Sequence, residues 1–173
     1  PDEKDFLDAF NDRKPFIISE LPKKPVLTAD SIVCLQPTRI IERKRIEKDF
    51  LFINELLKSP KIGNRKNLVL IIAGPLAGGA DTYGKKLLSR AQVLFRKLKK
   101  RSNLSIVFLL GNDSSPRDNS SSSLNMNELY GVSTLILLPS KLETRGLPIL
   151  ESAASGVPLI VSRFEPDGVY QEV

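Results

Sequence analysis

Residues 134–162 read TLILLPSKLETRGLPILESAASGVPLIVS, and this stretch decides the fold class. An apolar run over residues 134–138 is followed by a polar loop, and Pro148 and Gly156 then bound a short segment rich in apolar residues. Because a first helical turn tolerates proline, the segment predicts a helix that stops at Gly156. A second apolar run follows over Leu159–Val161. A strand, a helix and a strand in this order predict a parallel sheet.

The same alternation continues through the chain on the amino-terminal side of this stretch. Strands are predicted over residues 31–35, 68–73 and 105–110, because each is a short, nearly continuous apolar run. An amphipathic helix is predicted after the first strand, and another over residues 84–101. The first helix has one apolar face, formed by Ile46, Phe50, Ile53, Leu56 and Leu57. We therefore expect an α/β fold with a doubly wound, mainly parallel, Rossmann-like sheet of at least five strands.

Length and composition limit the kinds of protein that this chain can be. Its 173 residues, 41% of them hydrophobic, suit one domain with a substantial core. Residues 1–27 are charged and interrupted by prolines, so they are predicted to be a connecting segment, and residues 28–173 are predicted to be the domain. No apolar run is long enough to span a membrane, and the first residues are too charged for a signal sequence. We expect a location in the cytoplasm or at the membrane periphery.

The content of cysteine and histidine excludes several kinds of chemistry. Cys34 is the single cysteine and the chain has no histidine, so an internal disulfide, a histidine base and a histidine–cysteine metal cluster are excluded within it. Cys34 lies in an apolar run, which favours a buried and inert thiol. We predict no metal site.

Two carboxylates lie near the start of the helix predicted within residues 134–162. Glu143 lies in the loop before the helix and Glu151 lies within it. A helix amino terminus exposes unpaired N–H groups that can receive an anion. An ionised carboxylate can accept hydrogen bonds from two adjacent hydroxyls, as in a sugar or a ribose. The combination suggests a nucleotide sugar, although solvated glutamates at this spacing are also common.

A second group of candidates lies in the loop after the first predicted strand. Arg39 and Lys44 fall between a strand and a helix, where open α/β sheets bind ligands. Cations in a first helical turn oppose the macrodipole, so Lys44 and Arg45 are unfavourable there unless Glu47 or a bound anion offsets them. The alternative is that these side chains are simply solvated.

The run from Glu143 to Glu151, ETRGLPILE, resembles the E-x7-E motif of the retaining glycosyltransferases of family 4, which belongs to the C-terminal domain of the GT-B fold. The following SAASGVPLIVS continues the pattern, whereas Thr144 and Arg145 replace residues that are commonly glycine and phenylalanine. The resemblance implies that Glu143 lies against the donor sugar and that Glu151 holds the ribose hydroxyls. It also implies that backbone amides contact the sugar and the diphosphate at Thr144, Arg145, Gly146 and Leu147.

The resemblance extends to the cationic loop. An arginine and a lysine five residues later grip the donor diphosphate in the family, and Arg39 and Lys44 match that spacing. Arg45 replaces the glycine that commonly follows the lysine, so a different path of the loop is expected. Further donor-binding candidates lie at the ends of strands: Gly74, Leu110 and Gly111.

The resemblance covers residues from about 30 to 173 and implies only part of one lobe of a two-lobe enzyme. The donor would be a nucleotide sugar such as a UDP- or GDP-hexose, and the acceptor would be bound mainly by an N-terminal domain that this chain lacks. Catalysis would involve Glu143, Arg39 and Lys44, without a metal or another cofactor. Whether retention proceeds by front-face attack or through a carboxylate nucleophile stays open, and little or no transfer is expected from this chain alone.

Two other functions remain open at this stage. A glycoside phosphorylase of the same fold would use inorganic phosphate where the diphosphate lies. A non-catalytic module for nucleic acid or protein would use residues 85–101, which contain eight basic residues and no acidic one. Because no aromatic residues are interleaved with these charges in a way that suits base stacking, we favour a solvated helix face and expect no nucleic acid partner.

Overall fold

The computed structural model describes most of the chain. The described residues are 4–5, 16–19, 27–62, 67–75, 81–98, 103–109, 125–167 and 171. The strands are β1 (Phe16–Ser19), β2 (Ile32–Gln36), β3 (Leu68–Ala73), β4 (Leu104–Leu109), β5 (Leu135–Leu138) and β6 (Leu159–Val161). The helices are α1 (Glu47–Leu57), α2 (Asp81–Leu98), α3 (Met126–Val132) and α4 (Leu147–Ser155), and a 3-10 turn spans Glu42–Lys44.

The strands form one six-stranded sheet in the order β1-β4-β3-β2-β5-β6. Strands β2 to β6 pair in parallel, whereas β1 pairs with β4 in the antiparallel sense. The chain builds outward from β2 through β3 to β4 and then returns to the other side of β2 to add β5 and β6. The winding direction therefore reverses between β2 and β5, where open α/β sheets form a ligand crevice.

Helices cover both faces of the sheet, which confirms the predicted doubly wound α/β architecture. Strand β3 is buried along its whole length, as expected for a central parallel strand with helices on both sides. One core cluster joins the sheet to α1 and α2 and includes Cys34, Phe50, Leu70, Ile72 and Leu87. The other joins the sheet to α3 and includes Leu35, Ile71, Leu129, Tyr130 and Ile136.

Residues 134–162 fold as predicted into β5, α4 and β6. Pro148 lies in the first turn of α4, and Gly156 ends the helix with a left-handed conformation at φ 67°. The turn that follows the helix is stabilised because Ser152 Oγ donates a hydrogen bond of 2.5 Å to the carbonyl oxygen of Val157. Gly146, which precedes the helix, is also left-handed at φ 60°. Glycine suits both positions because it has no Cβ to clash there.

Two elements were not predicted. Strand β1 arises within residues 1–27, the segment expected to be a connector, and its four residues belong to the sheet. Helix α3 begins with a capping box, in which the side chains of Asn125 and Glu128 each accept a hydrogen bond from the other's backbone N–H. Helix α2 begins at Asp81, before the predicted residue 84. Residues 99–101 of the predicted helix lie outside the described residues.

Within the described ranges, no helix combines the length and the apolar composition that crossing a membrane requires.

Candidate functional site

Three loops meet at the carboxyl edge of the sheet, where the winding direction reverses. They follow β2, β3 and β5, and together with the start of α4 they enclose a cleft of about 360 Å³. The cleft is lined by Pro37, Thr38, Arg39, Arg43, Lys44, Ala73, Gly74, Pro75, Met126, Glu143, Thr144, Arg145, Gly146, Leu147, Pro148 and Glu151. The topology thus brings together segments that are about a hundred residues apart in sequence.

Gly74 allows the loop after β2 to lie directly against the end of β3. A Cβ atom at position 74 would lie 2.3 Å from the carbonyl oxygen of Thr38 and 2.9 Å from the nitrogen of Arg39. The two loops are also joined by a hydrogen bond of 3.0 Å from the Ile40 N–H to the Pro75 carbonyl oxygen. The lack of a side chain at Gly74 therefore permits the close approach of the backbone that carries Arg39.

A buried ion pair joins the two candidate loops across the cleft. Lys44 Nζ lies 2.5 Å from Glu143 Oε1, and the two residues are only 7% and 4% exposed. The backbone supports this pairing, because the Lys141 N–H donates a hydrogen bond of 2.8 Å to the Arg43 carbonyl oxygen. The Glu143 N–H in turn donates to the carbonyl oxygen of Glu165, beyond β6. Both charged groups are therefore held at fixed positions in the wall of the cleft.

An acidic partner and two further cations act on Lys44, which is itself buried. Burial lowers the pKa of Lys44, the hydrogen bond and charge of Glu143 oppose this change, and the guanidinium groups of Arg43 and Arg39 add to the lowering. Arg39 and Arg145 are exposed and Arg43 is half-buried. Four cationic side chains, including Lys44, thus line the cleft with two carboxylates, for a net charge of four minus two, or plus two. This charge makes the cleft suitable for an anion.

The loop after β2 contains a left-handed residue at Arg45. Arg45 has φ 52° and ψ 37° and ends the 3-10 turn Glu42–Lys44. Lys44 therefore lies before α1 rather than in its first turn, and its charge is balanced by Glu143. Glu47 has a different partner, because it accepts a hydrogen bond of 2.5 Å from the hydroxyl of Tyr83. The same hydroxyl accepts a hydrogen bond from the Ile46 N–H, so α2 holds the start of α1 in place.

Glu151 faces the cleft from the second turn of α4. The side chain of Glu151 is exposed, and its Oε2 accepts a hydrogen bond of 2.8 Å from the Tyr130 hydroxyl. Tyr130 itself is 2% exposed and belongs to the core cluster that joins α3 to the sheet. Burial, together with the hydrogen bond and charge of Glu151, raises the pKa of Tyr130, so its hydroxyl stays protonated and acts as a donor.

The structure brings most of the predicted site residues to one cleft. The residues predicted from the sequence that line it are Arg39, Lys44, Gly74, Glu143, Thr144, Arg145, Gly146, Leu147 and Glu151. Leu110 and Gly111 lie outside the described residues. Sequence analysis missed Arg43, Met126 and Tyr130. The position of Arg43 next to Lys44 was a usable signal, whereas Tyr130 and Met126 depend on α3.

The described residues contain no group of three or more cysteine or acidic side chains arranged to hold a metal ion.

Comparison with known proteins gives no match to a protein-family model and none to a curated protein. Solved structures do match. The chain is similar to Anabaena Alr3699/HepE in complex with UDP and glucose, with 21% identity, a TM-score of 0.56 and coverage of 83% of this chain and 32% of that one. The similarity is one of fold.

Trehalose-phosphate synthases give a similar result. OtsA, a trehalose-6-phosphate synthase, matches with 17% identity and a TM-score of 0.59, over 83% of this chain and 31% of that one. An α,α-trehalose-phosphate synthase (UDP-forming) from Burkholderia xenovorans in complex with glucose-6-phosphate matches with 13% identity, the same TM-score and the same coverage. The chain therefore spans about a third of the length of these structures.

Proposed function

We propose that this chain is the donor-binding part of a retaining glycosyltransferase of the GT-B type, similar to family 4. The enzyme would move a hexose from a nucleoside diphosphate sugar to a glycan or a small acceptor. The observation that carries the proposal is the convergence of Arg39 and Lys44, from the loop after β2, with Glu143 and Glu151 at one cleft. This cleft lies at the reversal of winding, where such folds bind their ligands.

The charge of the cleft suits the diphosphate of such a donor. A nucleoside diphosphate sugar carries one negative charge on each of its two phosphates, and the net charge of the lining residues is plus two. Arg39, Arg43 and Lys44 would then stabilise the charge that grows on the diphosphate as the bond to the sugar breaks. In this proposal the side chains do this without a metal.

The two carboxylates would take different parts of the donor. Glu151 is exposed at the cleft and would accept hydrogen bonds from the ribose hydroxyls. Glu143 accepts from Lys44 through Oε1, and its Oε2 receives no hydrogen bond from any described side chain, so that oxygen would accept from a sugar hydroxyl. In the front-face form of the reaction, the electron pair of the breaking bond goes to the diphosphate. A diphosphate oxygen then receives the proton of the attacking acceptor hydroxyl.

The comparisons support the donor class and a larger enzyme of which this chain forms one part. One similar structure contains UDP and glucose, and another protein is described as UDP-forming. Because the chain spans about a third of their length, the acceptor would be bound mainly by a part of the enzyme outside this chain. We expect donor binding by the chain alone with little or no transfer. We place the enzyme in the cytoplasm or at the membrane periphery as part of the same proposal.

A ligand panel tests the proposal directly. Calorimetry with UDP, GDP and inorganic phosphate should show binding of one nucleoside diphosphate that is tighter than that of phosphate. Glu151→Ala should weaken this binding by about 1.5–3 kcal/mol, the usual loss for a hydrogen bond to a charged group. Glu55→Ala is the matched control, because Glu55 is exposed and lies outside the cleft. It should leave the affinity unchanged.

The panel also separates the alternatives. Binding of phosphate without either nucleotide would favour a glycoside phosphorylase. Salt-dependent binding of an oligonucleotide, with no response to nucleotides, would favour a binding module that uses the basic face of α2. Either result would contradict the proposed transferase.

A further inference from the structure

The hydroxyl of Tyr130 connects the protein core to the cleft. The side chain of Tyr130 is buried in the core cluster that joins α3 to the sheet, and its hydroxyl donates to Glu151 Oε2 at 2.8 Å. Glu151, by contrast, is exposed on the cleft side of α4. One end of this hydrogen bond is therefore fixed by core packing, and the other end is the carboxylate that faces a ligand.

Helix α3 is held at both ends, so the position of Tyr130 is well defined. At its start, Asn125 and Glu128 exchange hydrogen bonds of 2.9 and 2.8 Å in the capping box. At its end, Ser133 Oγ donates a hydrogen bond of 2.6 Å to the Leu129 carbonyl oxygen. A buried tyrosine on such a helix has little rotamer freedom, because core packing selects one side-chain conformation. The hydroxyl therefore presents a donor at a constant place.

A glutamate that is exposed on a helix would otherwise sample several rotamers, and binding a ligand would have to restrict them. The Tyr130 hydrogen bond restricts the carboxylate of Glu151 before a ligand arrives. Among the residues that the structure describes, no second donor to this carboxylate is found, so Oε1 and the remaining lone pair of Oε2 can accept ligand hydroxyls. Two acceptor oxygens in a fixed orientation suit two adjacent hydroxyls.

We propose that Tyr130 is a positioning residue that orients Glu151 toward the vicinal diol of a ribose and thereby makes the cleft select ribonucleotides over 2′-deoxyribonucleotides. This inference rests on the proposed binding of a nucleoside diphosphate. It adds a residue that does not line the cleft, together with a specificity that can be measured separately from affinity.

The test measures the affinity of Tyr130→Phe for three ligands by calorimetry. The ligands are UDP, 2′-deoxy-UDP and pyrophosphate, or the corresponding guanine nucleotides if GDP binds more tightly in the panel above. The variant should bind the ribonucleotide about 5- to 10-fold more weakly, because Glu151 loses the hydrogen bond that orients its carboxylate before the ligand arrives. The preference for the ribonucleotide over its 2′-deoxy form should fall, and pyrophosphate should bind as in the unmodified chain, because it has no ribose.

Two further variants complete the design. Val132→Ala shortens an exposed side chain of the same helix outside the cleft, and it should leave all three affinities unchanged. Glu151→Asp shortens the exposed side chain and withdraws the carboxylate from Tyr130 without altering the core. It should lose the ribose preference as well, and Tyr130→Phe added to it should cause no further loss, because Tyr130 acts through Glu151.

The outcomes separate this inference from the proposed function. If the unmodified chain binds UDP or GDP and Tyr130→Phe retains the full ribose preference, the inference is wrong and the proposed function stands. If all three ligands weaken equally, Tyr130 has only a structural role and the inference is also wrong. If the unmodified chain binds neither UDP nor GDP, the proposed function fails and the inference fails with it.

Discussion

The buried pair of Lys44 and Glu143 provides the sharpest test of how the cleft is held together. Lys44→Met keeps the length of the side chain but leaves the Glu143 carboxylate, in a residue only 4% exposed, without its cation. Breaking a buried ion pair from one side costs about 3–5 kcal/mol, because a charge then remains buried without compensation. For a chain of this size the melting temperature should fall by roughly 6–20 °C.

Removing both charges should restore most of this loss. In Lys44→Met combined with Glu143→Leu, no unpaired charge remains, and replacing a buried pair by apolar side chains is often neutral or stabilising. We expect the double variant to lie within about 1 kcal/mol of the unmodified chain in free energy of unfolding. It should nevertheless bind nucleoside diphosphates poorly, because it lacks two groups of the cleft. Stability and ligand affinity should therefore separate in this variant.

Urea unfolding followed by circular dichroism measures these differences. The matched control is Lys58→Met, because Lys58 pairs with Glu55 at 2.6 Å but both side chains are about two-thirds exposed. An exposed pair of this kind contributes little to stability because solvent screens it, so the control should unfold nearly as the unmodified chain does. Glu143→Leu alone is measured as well. If the loss of stability in the double variant equals the sum of the losses in Lys44→Met and Glu143→Leu, the two side chains do not interact and the reasoning is refuted.

Three further predictions concern the backbone and the buried carboxyl group of α1. Gly74→Ala places a Cβ 2.3 Å from a backbone oxygen of the loop after β2 and should lower the free energy of unfolding in urea by about 1–3 kcal/mol. Gly131→Ala is the control, because a Cβ there would meet no neighbouring atom within 4 Å, and it should be neutral or stabilising. Arg45→Gly should stabilise the chain by up to about 1 kcal/mol, because the left-handed cost for arginine exceeds the entropic cost of glycine; a loss above this size would contradict the assigned turn. Burial, reinforced by the charge of a neighbouring glutamate, raises the pKa of Asp49 well above its usual range. The unfolded chain therefore loses this proton at lower pH than the folded chain does. Asp49→Asn should stabilise the folded chain at about pH 7.5. This gain in stability should vanish at about pH 3.5, where Asp49 is mostly protonated in both states. A gain that is independent of pH would exclude this cause.

The sequence contained enough local information to predict the sheet and the location of the cleft. The run Leu68–Ala73 is apolar at every position and is buried at every position, so its place in the centre of a parallel sheet could be predicted. Pro148 and Gly156 bounded α4 through conformational preferences that act within one turn. Because parallel strands end at one edge, the loops after β2 and β5 could be assigned to one site without coordinates.

The missed features depend on contacts between distant segments or on weak local signals. Lys44 and Glu143 are 99 residues apart, and nothing near either one indicates that they form a pair. Asn125 and Glu128 do have the spacing of a capping box, but the seven-residue helix that they begin follows a serine-rich run and has a weak apolar pattern. Without α3, the partner of Glu151 could not be identified.

The antiparallel pairing of β1 has a consequence for the order in which the chain can fold. Phe16 pairs with Phe108, and Ser19 pairs with Ser105, so the first described strand has its partner about ninety residues later in the sequence. During synthesis β1 emerges before the rest of the sheet but cannot dock until β4 has been made, and closing so long a loop is slow. The apolar side chains of Phe16 and Ile18 consequently remain exposed to solvent and to other chains until most of the sheet exists.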